Sequence, residues 1–211
     1  MTDSRREHVQ MDESVRRENG GCLKACFFDR DGVLIEEENY LSDPARVRLC
    51  AGAAESIRLM RLHGFKIIIV SNQSGIARGY FTEDDLKRVE LRLDELLAAE
   101  NASVDARYYC FHHPKGIIPE YTRECDCRKP APGMLLTAAA EWNLDLTQSV
   151  MFGDKTSDVE AGLRAGCRIA GLVRTGHGGE QKLDGYPPEK VIDAPDILSA
   201  VRMVLGKLDR G

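Results

Sequence analysis

Short apolar runs and amphipathic stretches alternate along the chain from Gly21 onward. Leu23–Phe28 is compact and apolar and predicts a buried strand, and the β-branched run Lys66–Val70 predicts a second. Val104–Tyr109, Val150–Phe152 and Ile169–Val173 predict three more, the first of them with the weakest pattern. Between these runs the spacing turns helical. Ala51–Leu62 sets Ala54, Ile57 and Met60 on one face and stops at His63-Gly64. Thr82 with Asp85 three residues later opens a second helix, whose apolar face is Leu86, Val89, Leu93, Leu96 and Leu97. Pro132–Trp142, Asp158–Ala165 and Ile197–Leu205 supply the rest.

Strands alternating with amphipathic helices predict an α/β fold, a Rossmann-like three-layer arrangement with a parallel sheet covered on both faces. Ligands of such sheets bind beyond the carboxyl ends of the strands. Four runs lead directly into polar residues: Asp29-Arg30-Asp31-Gly32, Ser71-Asn72-Gln73-Ser74, the cysteine–histidine segment after Tyr109, and Gly153-Asp154-Lys155. All four are expected at one edge.

Composition narrows the class. The 211 residues are 43% hydrophobic and 30% charged, with a net charge of −5, which suits one soluble domain and not a nucleic-acid or anionic-membrane binder. No stretch approaches the roughly 20 apolar residues of a membrane span, and the N-terminus has no apolar core of a secretory signal. The expectation is a cytoplasmic monomer with no nucleic acid or membrane among its partners. Residues 1–20 carry nine charges and four scattered apolar side chains, and read as a disordered tail before a single domain over 21–211.

Seven cysteines remain to be explained. An odd count fits a disulfide framework poorly. Cys22, Cys26, Cys50 and Cys167 lie in or beside apolar stretches and read as small hydrophobes. Cys110-Phe111-His112-His113 and Cys125-Asp126-Cys127 read differently. Three thiolates and an imidazole, Cys110, His112, Cys125 and Cys127, form a usual structural Zn²⁺ set in a loop over about 110–127. A redox Cys-x-Cys couple leaves the paired Cys-x-His unexplained. His113, beside Pro114, is the spare histidine, either a replacement for His112 as ligand or, as its place beside Pro114 favours, facing solvent or substrate.

The other polar exits carry possible chemistry. Asp29 and Asp31, leaving a strand into a glycine turn, can present one carboxylate for attack and another for proton transfer, though Asp and Gly also make ordinary turns. Ser71-Asn72 can donate to phosphate oxygens or simply end a strand. Asp154 can join the first pair around Mg²⁺, with Asp158 one turn further on in a supporting role; helix capping alone would also favour these residues. Arg128-Lys129 supplies the fixed positive charge that a phosphoryl group needs near carboxylates, or is a basic surface turn.

Taken together and in this order, Asp29-x-Asp31, Ser71, Lys129 and Asp154/Asp158 resemble the four motifs of the haloacid dehalogenase-like phosphatases, over nearly everything from Cys22 to Val173. The set Cys-x-His with Cys-x-Cys-Arg-Lys-Pro looks like the heptose 1,7-bisphosphate 7-phosphatases, and histidinol-phosphate phosphatase domains share it. The resemblance implies that Asp29 is the nucleophile, that Asp31 is the acid and base, and that Ser71 and Lys129 stabilise the phosphoryl group. It implies Mg²⁺ on Asp29, Asp31 (through its backbone carbonyl) and Asp154. Substrate contacts are implied for Arg30, Glu37, Glu38, Asn39, Tyr40, Asn72, Gln73, Ser74, Arg128 and Lys155. About forty residues separate Asp29 from Ser71, which leaves no room for a large cap domain there.

The expected activity is Mg²⁺-dependent hydrolysis of the C7 phosphate of a small phosphosugar, heptose bisphosphate, in nucleotide-activated heptose biosynthesis. The same chemistry on histidinol phosphate, or on another small phosphosugar, is the alternative. A catalytically idle zinc module would require a broken Asp pair, and both aspartates are present. The glycine- and proline-rich stretch 175–190 has no evident role in the sequence.

Overall fold

The computed structural model describes residues 22–208, so the tail expected over 1–20 lies outside the described residues. Among the described residues there are six strands: β1 (Lys24–Phe28), β2 (Phe65–Asn72), β3 (Ala106–Cys110), β4 (Val150–Gly153), β5 (Ile169–Val173) and β6 (Val191–Ala194). Five helices accompany them: α1 (Ala53–Leu62), α2 (Glu83–Ala99), α3 (Gly133–Trp142), α4 (Thr156–Ala165) and α5 (Ile197–Leu208). Every strand pairs in parallel, in the order β3-β2-β1-β4-β5-β6. The expected three-layer α/β architecture is observed.

Strand alternation divides the core. Cys26 and Phe28 of β1 join the layer formed with α1, α2 and α5, while Ala25 and Phe27 join the layer formed with α3 and α4. The Phe28 and Phe152 rings, 5.7 Å apart and fully buried, back the ends of β1 and β4. Truncating either to alanine would cost about 4 kcal/mol through lost burial and the cavity left behind.

The chain runs outward from β1 to β2 and β3, then returns to the other side of β1 with β4. The order therefore reverses between β1 and β4, and such a reversal opens a crevice at the carboxyl edge. Asp29 follows β1 and Asp154 follows β4 at that crevice. Between β1 and α1 lie isolated bridges (Asp31 with Ile35, Ile35 with Leu49) and one 3₁₀ turn, Pro44–Arg46, so no cap domain sits there.

Several boundaries differ from the pattern-based ones. Gly52, at φ +77°, cannot continue a helix, so α1 begins at Ala53 rather than Ala51. β2 extends through Ser71 and Asn72, which pair with Tyr109 and Cys110. α4 begins at Thr156, and its Asp158 side chain accepts from the Lys155 N–H. β6 is a strand that the pattern missed. It is a sheet edge with only Val191-Ile192 as an apolar run, and Asp193 faces outward to Arg174. Cys26, Cys50 and Cys167 are buried as expected, but Cys22 is exposed because it precedes the first core strand. No helix among the described residues is long and apolar enough to cross a membrane.

Candidate active site

β1 and β2 deliver a carboxylate and a hydroxyl, Asp29 and Ser71, to the crevice. The Asp29 N–H donates to the Phe152 carbonyl at 2.8 Å, which fixes Asp29 against β4, and the Arg30 N–H donates back to Asp29 Oδ1 at 2.7 Å. Asp29 Oδ2 lies 3.1 Å from Lys129 Nζ, and the same ammonium lies 2.6 Å from Asp158 Oδ1 and donates to the Val70 carbonyl at 2.7 Å. Lys129 reaches inward from the loop before α3. The Asn72 amide secures its backbone by donating to the Lys129 carbonyl and accepting from its N–H, both at 3.1 Å. Asp29, Lys129 and Asp158 are all buried, which strengthens every charge–charge term between them.

Two glycines let the backbone approach Asp154. Gly32, at φ +77°, and Gly176, at φ +53°, flank its carboxylate; a Cβ would stand 2.5 Å from Oδ2 at Gly32 and 2.4 Å from it at Gly176. Asp154 Oδ2 accepts from the His177 N–H at 2.8 Å. Asp154 Oδ1 is buried and accepts no hydrogen bond, with Lys155 Nζ 3.8 Å away. A buried carboxylate oxygen without a donor is costly, and a cation beside it removes the cost. Carboxylate oxygens of Asp29, Asp154 and Asp158 come within 4.8 Å of one another. Hard oxygen donors at this density suit Mg²⁺.

The charge states follow from this crowding. Burial pushes the Asp29 carboxyl up, but Lys129, the Ser71 hydroxyl, Lys155 and the Arg30 N–H outweigh it and hold Asp29 below its usual range. Burial and the neighbouring Asp29 push Asp154 up to about 7. Burial also raises Asp158, against the pull of Lys129. Lys129 stays cationic: Asp158 and Asp29 raise it despite its burial. At neutral pH Asp29 is an ionised carboxylate facing a fixed ammonium.

The other residues expected at the site are distributed unevenly. The Asp31 carboxylate is held by neighbouring side chains: its Oδ1 accepts from Arg30 Nη2 at 3.0 Å, and its Oδ2 from Arg30 Nε at 3.1 Å and Gln73 Nε2 at 2.8 Å. Gln73 Nε2 also donates to Ser71 Oγ at 3.1 Å. Arg30 is 1% exposed, with its guanidinium committed to protein oxygens. Ser74 is buried. Lys155 and Glu37 meet at the rim, 3.6 Å apart, whereas Glu38 pairs with Arg46 outside it. Asn39 and Tyr40 both adopt positive φ, and Tyr40 packs edge-on against Tyr80 with ring centres 4.6 Å apart. Arg128 is half-buried and reaches the His112 carbonyl at 3.4 Å.

Sequence reasoning missed a fifth polar exit. After β5 the chain turns back over the crevice. Thr175 Oγ donates to the Gly32 carbonyl at 2.6 Å, Gly176 packs on Asp154, and the His177 ring stands 3.5 Å from Glu37 Oε2. The signal was present in Val173-Arg174-Thr175-Gly176, another apolar run ending in polar residues and glycine.

Beside the crevice, Cys110, His112, Cys125 and Cys127 converge. The sulfurs stand 3.3–3.5 Å apart, and His112 Nδ1 is 3.4 Å from Cys127 Sγ. Four donors around one tetrahedral Zn²⁺ place their sulfurs about 3.8 Å apart, so the cluster fits that ion after a small expansion. Hydrogen bonds with Cys110, then His112 and Cys125, lower the Cys127 thiol to about 5 although burial opposes this, the direction a metal-binding sulfur needs. The intervening loop packs Phe111 and Tyr121 against Ile76, Phe81 and Leu86, and the N–H groups of Ile117 and Ile118 bond the Ala77 carbonyl.

Comparison with known proteins agrees with this geometry. Residues 126–199 match the HAD-hydrolase-like family model. The chain is 40% identical over 182 residues to the D-glycero-beta-D-manno-heptose-1,7-bisphosphate 7-phosphatase of Haemophilus influenzae, covering 85% of this chain and 98% of that one. It is 40% identical over 154 residues to the enzyme of the same name from Escherichia coli K12, covering 73% and 81%. The crystal structure of D,D-heptose 1,7-bisphosphate phosphatase from B. bronchiseptica, complexed with magnesium and phosphate, superposes with a TM-score of 0.76 at 30% identity, covering 88% of this chain and 99% of that one. At this identity over most of its length and with the same fold, the chain belongs to the haloacid dehalogenase-like phosphatases, in the family of the heptose 1,7-bisphosphate 7-phosphatases.

Proposed function

We propose that this protein hydrolyses the C7 phosphate of D-glycero-D-manno-heptose 1,7-bisphosphate through an aspartyl-phosphate intermediate. The observation that carries the reading is the ionised, buried Asp29 held against Lys129 at 3.1 Å, in a chain 40% identical to enzymes named for that reaction. Asp29 Oδ attacks the phosphorus, and the bond from phosphorus to the sugar oxygen breaks. Lys129 Nζ and Ser71 Oγ are donors for the phosphoryl oxygens in transit. Asp31 gives its proton to the leaving sugar oxygen. It then takes a proton from the water that attacks the aspartyl phosphate, which restores Asp29 and releases inorganic phosphate.

Asp29, Asp154 and the Asp31 backbone carbonyl would hold Mg²⁺, and the unsatisfied Asp154 Oδ1 is the structural reason. The ion supplies positive charge against which a phosphate dianion can approach two carboxylates. Asp158, engaged by Lys129 and by the Lys155 N–H, acts on that centre indirectly. Cys110, His112, Cys125 and Cys127 would hold a structural Zn²⁺ that shapes the loop walling the site. Glu37, Lys155 and His177 form the rim that meets the sugar, and Arg128 supports recognition from the zinc-loop side. The reading carries with it a cytoplasmic monomer, with a phosphosugar and neither nucleic acid nor membrane as its partner.

Phosphate release with Mg²⁺ from heptose 1,7-bisphosphate and from histidinol phosphate, at matched concentrations, tests the substrate. A hundredfold preference in kcat/KM for the bisphosphate, about 2.7 kcal/mol, is the expected result. The reverse preference overturns the heptose reading, and Asp29→Asn with retained turnover overturns the nucleophile.

A further inference from the structure

Glu90 sits where an amphipathic helix should carry an apolar residue. Its neighbours on that face of α2 (Leu86, Val89, Leu93 and Leu97) are all buried, and Glu90 is itself 8% exposed. A buried carboxylate is tolerated only with partners, and it has two. Glu90 Oε1 accepts from Arg30 Nη1 at 2.9 Å, and Oε2 from Arg107 Nε at 2.7 Å; Arg107 also pairs with Asp94. The helix thus holds one end of the Arg30 guanidinium through Glu90, and β3 secures Glu90 through Arg107.

The other end grips Asp31. A guanidinium is a rigid planar fork, so the plane it adopts dictates the plane of any carboxylate it binds at two points. Arg30 Nε and Nη2 reach the two oxygens of Asp31 at 3.1 and 3.0 Å, and Nη2 also donates to Gln73 Oε1 at 3.2 Å. Arg30 alone has a long flexible stem. Gln73 holds the near side of the fork and Asp31 itself, and Glu90 anchors the far nitrogen, Nη1, with a full opposite charge. These commitments also explain why Arg30, expected from the resemblance to meet substrate, is sealed inside the protein.

We propose that Glu90 is a positioning residue for the reaction: through Arg30 it sets the orientation of the Asp31 carboxylate, and with it the transfer of a proton to the leaving oxygen. The inference rests on the reading of Asp31 as that acid. Its consequence is selective. A poor leaving group needs the proton and suffers when Asp31 is misaligned, whereas a nitrophenolate departs without it.

The test compares kcat/KM, which reports the steps through phosphoryl transfer to Asp29, for p-nitrophenyl phosphate and phenyl phosphate with Glu90→Gln protein. The expected result is a loss of tenfold or more on phenyl phosphate and of less than threefold on p-nitrophenyl phosphate. Glu90→Asp, which keeps the charge, should recover part of the phenyl phosphate loss. Equal losses on both substrates, or no loss on either, overturn the proposal and leave Glu90 a structural ion-pair member. If Glu90→Gln does not fold, Glu90→Met, which suits the otherwise apolar face of α2 and likewise removes the anchor on Arg30 Nη1, decides by the same criterion. The aryl series does not use the heptose substrate, so a failed substrate reading shows in the bisphosphate assay alone.

Discussion

The Lys129 ammonium stands 3.1 Å from the Asp29 carboxylate and is itself only 3% exposed, so the charge proposed to meet the phosphoryl group is also part of the core. Removing it should damage both function and stability. Lys129→Met leaves Asp29 and Asp158 as buried carboxylates without their cation. A loss of about 3 kcal/mol of stability is expected from the broken buried pair, together with a fall in kcat of at least about a hundredfold. Urea unfolding alongside turnover measures both. A stable but inactive variant would show that the lysine serves chemistry alone.

Asp154 gives the metal-free protein a pH signature. Its folded pKa of about 7 lies above the ordinary carboxylate value, so its contribution to stability is full at low pH. That contribution is lost at about 1.4 kcal/mol per pH unit as the pH climbs toward 7, where the buried carboxyl must ionise. Mg²⁺ should reverse the loss by binding the ionised form. Thermal unfolding with EDTA or with excess Mg²⁺ should show a larger metal-induced rise in Tm at pH 8 than at pH 6. Equal rises at both values would place the cation somewhere other than Asp154.

Cys125→Ser removes one of the three sulfurs that stand 3.3–3.5 Å apart. Zinc content is expected to drop from about one ion per chain to well below it, with a lower Tm before any change in the chemical step. Atomic absorption on the purified protein, with Tm beside it, decides the matter. Undiminished zinc with a lowered Tm would mean that Cys125 is a packing residue and not a ligand.

Much of the site was legible because short polar motifs follow each apolar run, and parallel strands bring those ends to one edge. Asp29, Ser71 and Asp154 could be read that way, and Lys129 as the fixed positive charge set just before α3. The partners that fix them could not. Nothing local joins Asn72 to the backbone of Lys129 or Arg30 to Glu90, and such pairings depend on register and helix packing. Glu90 did leave a trace, as a charge on an otherwise apolar helix face. β6 was missed for a different reason: an edge strand buries only one side, so its pattern is short and broken by Asp193.

His177 belongs to the glycine-rich stretch 175–190, which also brings Thr175 and Gly176 to the crevice. Its backbone is tied to Asp154 at 2.8 Å, and its ring faces Glu37 at 3.5 Å beside Lys155, so it is held in place while part of its side chain remains accessible. On the proposed reading, a ring at that rim meets the sugar and not the transferring phosphoryl group. His177→Ala should therefore raise KM for the bisphosphate about fivefold, roughly the ~1 kcal/mol of one lost hydrogen bond. The backbone hydrogen bond to Asp154 survives the substitution, so kcat should fall much less than KM rises. Steady-state kinetics on the bisphosphate separates the cases: a fall in kcat with KM unchanged would move His177 from the rim to the reaction itself.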